Sequence, residues 1–150
     1  MRISYWLHLL AIVIWVGGMF FGYVALWPAV QALPAQQRFP LMAVVLSIFF
    51  QWSTVAVVLI LVSGLVMLFA GGGFRAYGLY VHLMTALGLL ITAIYGFIVA
   101  GPFDRLRTAV AGSAWEAAGA ALIQVRRLVG VNLILGLVTL TIAILGHDVV

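Results

Sequence analysis

With 150 residues, 67% hydrophobic and only 7% charged, the chain has too little polar surface for a soluble domain, and it reads as one all-α integral membrane domain. It has no cysteine, which excludes disulfides, thiolate metal centres and thiol catalysis. Its net charge of +4 comes from arginine without lysine, and no basic patch interleaved with exposed aromatics accompanies it, so the expected anionic partner is the lipid bilayer and not nucleic acid.

Apolar runs mark four transmembrane helices over approximately residues 4–30, 41–70, 77–100 and 113–146, together a four-helix bundle. Alternation of period two is absent, which argues against a membrane barrel. The first run follows Tyr5-Trp6-Leu7-His8 without a break, is too long for a signal peptide and lacks a small-residue cleavage site, so it is expected to be retained. Pro28 and Pro34 end it, and residues 31–40 form a polar turn. Gly71-Gly72-Gly73 ends the second run, and Gly101-Pro102 marks where the third leaves the bilayer core. Residues 104–124 are too polar to span, and Ser113-Ala114-Trp115-Glu116 has the spacing of a capping box that starts the fourth helix.

Arg38, Arg105, Arg107, Arg126 and Arg127 fall in the loops at one end of the bundle, against Arg2 and Arg75 at the other. The positive-inside rule then predicts a multi-pass protein of the bacterial inner membrane with both termini in the periplasm. That orientation puts His8, His82 and His147 on one face, with His8 and His82 at matched depth on the first and third helices, which sit diagonally and can aim two imidazoles at one central volume.

Imidazoles so placed suit two metals. As axial ligands they would hold haem b near the periplasmic face for electron transfer, with Arg75, Tyr5, Tyr77 and Tyr80 at the outer edge for its propionates and a redox partner or quinone still to be found. As copper ligands they would work with the thioethers of Met67 or Met84, and His147 is a further donor near the C-terminus. His82 and Met84 diverge by about 200° on one helix and do not share an ion. A cofactor-free structural or assembly subunit explains the composition equally well, and homo-oligomerisation stays open. Gln51 and Asn132 are the other strongly polar residues inside the spans, expected in interhelical hydrogen bonds. The histidine face has no paired carboxylates for acid–base hydrolysis, and no Ser-His-Asp spacing or phosphate-cradling loop occurs.

His8, Trp15, Gly17-Gly18 and Phe20-Phe21 resemble the first helix of the HemJ-type protoporphyrinogen oxidases and of the related CopD copper-resistance membrane proteins. Arg38-Phe39-Pro40, Val62-Ser63-Gly64-Leu65 and Tyr77-Gly78 are similar to the loop and second-helix pattern of CopD, and His82-Leu83-Met84 resembles the HemJ His-x-Lys element, with Met84 in place of its lysine. The resemblance implies a four-helix membrane bundle. On its HemJ side His8 and His82 would be haem-associated histidines of an oxidoreductase, and on its CopD side the protein would handle copper at the periplasmic face.

Overall fold

The computed structural model describes residues 2–146, and no strand occurs among them. Four helices are long and apolar enough to cross a membrane: α1 (Arg2–Val30), α2 (Ala35–Ala70), α3 (Leu79–Ala111) and α4 (Trp115–Gly146). The shortest has 29 residues, about 43 Å at 1.5 Å per residue, so every helix overruns a hydrocarbon core of about 30 Å. The all-α transmembrane architecture is as expected.

Two boundaries differ by more than two residues, each for a local reason. α2 begins at Ala35, not at 41, because Pro34 takes the extended N-cap conformation and its carbonyl accepts the N–H groups of Gln37 (3.0 Å) and Arg38 (2.9 Å). Pro40 then lies within the second turn, where its missing N–H orphans only a carbonyl close to the helix end. α3 does not stop at 100; it crosses Gly101-Pro102 through a π-helical turn, Val99–Phe103, and continues to Ala111. α1 has the same device, a π turn over Gly22–Leu26 in which the Trp27 N–H reaches back to the Gly22 carbonyl. Both wide turns adjoin or contain a proline, Pro28 or Pro102, whose ring would otherwise press on the carbonyl four residues before it.

The capping box does not form. Ser113 takes a positive φ of 53° and belongs to the end of α3, where its N–H donates to Val110 and the Ala114 N–H to Ala109, the two bonds of a Schellman motif. A serine spent closing one helix cannot cap the next. Gly72, at φ 103°, closes α2 likewise, with Gly73 N–H to Leu68 and Gly72 N–H to Phe69.

α1 packs on α2 and α3 on α4 as two antiparallel hairpins, and α4 also touches α1 and α2. Ala11, Trp15 and Met19, spaced four apart, form the buried stripe of α1. Trp15 meets Tyr95 of α3 edge-on at 5.8 Å, Tyr95 meets Phe50 of α2 at 5.9 Å, and Phe50 meets Phe103 at 4.9 Å. The Phe50 carbonyl accepts from both the Tyr95 and the Thr54 hydroxyls, each at 2.8 Å. Tyr95→Phe is therefore expected to cost only about 0.6–1 kcal/mol, since Thr54 still satisfies that carbonyl; thermal unfolding in detergent measures it.

Of the two polar residues expected to join helices, Asn132 does so, buried, with its side-chain N–H donating to Ile91 of α3 at 3.2 Å. Gln51 instead faces outward from α2.

A histidine seam between the first two helices

His8 lies on the line that α1 turns toward the bundle, three residues before Ala11 and seven before Trp15. The half-buried ring rests on α2 where that helix has no side chain. A Cβ added to Gly64 would sit 3.3 Å from His8 Cε1, so glycine is what lets the imidazole reach the α2 backbone. His8 Nδ1 is 3.0 Å from the Ile60 carbonyl and 2.9 Å from Ser63 Oγ.

The hydrogen-bond roles are fixed by the acceptors. A carbonyl can only accept, and the Ser63 hydroxyl already donates to the Leu59 carbonyl, so the proton between them belongs to His8 Nδ1, which donates to both oxygens. A neutral imidazole held in this way presents Nε2 as a bare lone pair. Ligating histidines are commonly oriented by such a bond from the far ring nitrogen to a carbonyl. Ser63 escapes a reading of side-chain chemistry alone; its signals are a hydroxyl beside a glycine in an apolar run and its place in the Val62-Ser63-Gly64-Leu65 resemblance.

Met67 lies on the same face of α2, three residues after Gly64 and four after Ser63, and is half-buried. The Tyr77 hydroxyl donates to the Met67 carbonyl at 3.4 Å, tying the α2–α3 connection over the end of this seam.

The other expected site residues are placed differently. His82 is exposed; its Nδ1–H donates to the Gly78 carbonyl of its own helix start at 3.2 Å, and its ring leans on Phe74 at 5.1 Å. The cause is azimuth. The buried stripe of α3 runs through Ile91 and Tyr95, and its extension by seven residues reaches half-buried Met84, which puts His82 about 200° away. Tyr5 and Arg75 are exposed, and half-buried Tyr80 packs on Gly146. His147 lies outside the described residues. A haem held by both His8 and His82 needs two rings turned into one interior gap, and this arrangement does not fit it. Among the described residues no three histidines or carboxylates cluster as a metal site.

Residues 43–145, more than half of the chain, match the family model described as copper resistance protein D, CopD. The match spans α2 to α4, including Ser63, Gly64, Met67 and His82, and begins after α1 with His8. It lends nothing to the HemJ side of the resemblance. Comparison with curated proteins and with solved structures found no match. The chain belongs to the CopD copper-resistance family and is a multi-pass membrane protein.

Proposed function

We propose that this protein binds copper at the α1–α2 seam, with His8 Nε2 as the anchoring ligand and the Met67 thioether as the second donor, on the periplasmic side of a bacterial inner membrane. The observation that carries the reading is the double acceptor at His8 Nδ1, which leaves Nε2 free for a metal inside an apolar interface. Imidazole with thioether and no carboxylate suits Cu(I), and the family match supports copper independently of this geometry. The arginine bias of five against two supports the orientation. Met19, the thioether on the α1 stripe, is eleven residues deeper than His8, about 16 Å, too far for a continuous ladder of donors. Binding and hand-over at one face therefore suit the chain better than conduction along the seam.

Competition against a chromogenic Cu(I) chelator, on detergent-purified protein under reducing conditions, tests this reading. The unmodified protein is expected to withdraw one copper, His8→Ala none, Met67→Leu less, and His82→Ala as much as the unmodified protein. Full binding by His8→Ala overturns the assignment. A Soret band in the same sample, lost in both His8→Ala and His82→Ala, would return the site to haem.

A further inference from the structure

A second site lies at the opposite, arginine-rich end of the bundle. Between α1 and α2, and floored by α4, is a cleft of about 140 Å³ whose wall is almost wholly apolar. Gly18, Gly22, Leu26, Trp27, Phe49 and Val129 line it. The π turn that begins at Gly22 widens the helix here, and a Cβ at Gly22 would meet nothing within 4 Å, so the space beside it is open. At one end the Arg126 guanidinium lies over two rings of α1, 5.2 Å from the centroid of Tyr23 and 5.9 Å from that of Trp27. Trp27 thus belongs to both the cleft wall and the cation's seat, and Val129 is one turn of α4 from Arg126.

We infer that this cleft holds an anionic phospholipid, one acyl chain lying in the apolar groove and the headgroup phosphate on Arg126. Water has no polar partners along such a wall, and an empty groove forfeits dispersion contacts, so in a bilayer a hydrocarbon chain is what fills it. The headgroup charge follows from complementarity. Five arginines, Arg38, Arg105, Arg107, Arg126 and Arg127, stand at this end against two carboxylates, Asp104 and Glu116, so at least three guanidinium groups have no counter-charge from the described residues. Glu116 is ten residues along α4 from Arg126, about 15 Å. The aromatic rings hold the guanidinium at the level of the groove's mouth, leaving its N–H edge for phosphate oxygens.

The test uses the full chain in mixed micelles with equal amounts of phosphatidylglycerol and phosphatidylcholine of identical acyl chains, with bound lipid counted by native mass spectrometry. The unmodified protein is expected to retain phosphatidylglycerol over phosphatidylcholine by about fivefold. Arg126→Gln is expected to erase that preference. Gly22→Leu, whose Cβ enters open space at the cleft wall, is expected to lower retention of both lipids with the circular dichroism of the helices unchanged. Arg127→Gln is expected to keep the preference. Equal retention of the two lipids by the unmodified protein overturns the proposal, as does an unaltered preference in Arg126→Gln or unaltered retention in Gly22→Leu. An equal loss in Arg127→Gln would assign the preference to the general charge of this end and also overturn the site.

Discussion

Gly64→Leu is expected to weaken Cu(I) binding about 10- to 100-fold although His8 itself remains in the chain. The first added carbon already stands 3.3 Å from His8 Cε1 and 3.7 Å from Nδ1, and the rest of a leucine side chain has to occupy the volume of the ring. The imidazole is then lifted from the Ile60 carbonyl and Ser63, the two acceptors that orient it. Gly64→Ala demands a shift of only a few tenths of an ångström and is expected to have the milder effect. Leucine favours helix over glycine by about 0.8–1 kcal/mol, so α2 itself is not weakened, and retained helical circular dichroism separates loss of the site from loss of the fold. The measurement is the same chelator competition; wild-type affinity in Gly64→Leu would show that the seam does not position the ligand.

Phe50→Ala is expected to destabilise the bundle by about 2–4 kcal/mol, the largest cost of any single truncation argued from this core. Phe50 is buried and sits where α2 meets α3, in ring contact with Tyr95 and Phe103. Lipid tails are as apolar as phenylalanine, so transfer to hydrocarbon contributes little; the cost arises from the void and from two aromatic partners left facing it. Phe97→Ala, an exposed phenylalanine on α3, is the control and is expected to change stability by no more than about 0.5 kcal/mol. Unfolding by added denaturing detergent, followed by circular dichroism, compares the two; equal stabilities would mean that the ring cluster does not join the hairpins.

The four spans are legible in the sequence because each needs only a run of apolar residues long enough to cross hydrocarbon, and such runs stand out from any context. His8 is legible as a candidate site residue for a related reason, being a lone imidazole near the start of one run. What holds it is not legible. The Ile60 carbonyl has no sequence signature, since every residue has one, and which of them His8 meets depends on how α1 and α2 align. His82 shows the complementary failure. Its depth is readable by counting from Tyr77, but its direction depends on the phase set by Ile91 and Tyr95, and two residues of helix turn a side chain from the core to the outside. Prolines are ambiguous in the same way. Pro34 closes a loop, whereas Pro28, Pro40 and Pro102 are absorbed within helices, and the difference rests on whether a wide turn or a nearby helix end spares the missing donor.

The π turn in α1 also bears on how this chain should be aligned with its relatives. Interior positions run Ala11, Trp15 and Met19 before it, and Trp27 and Val30 after it. The Trp27 N–H closes this turn on the Gly22 carbonyl, five residues back, where a regular helix closes on the fourth. One surplus residue is thus stored inside the helix without disturbing either end. A homologue with an unbroken α-helix here would be one residue shorter and still superimpose at both His8 and Trp27. An alignment that allows gaps only in loops would then slip one flank by 100°, pairing buried positions with lipid-facing ones over that part of α1. The helix interior between 22 and 26 is where a gap belongs.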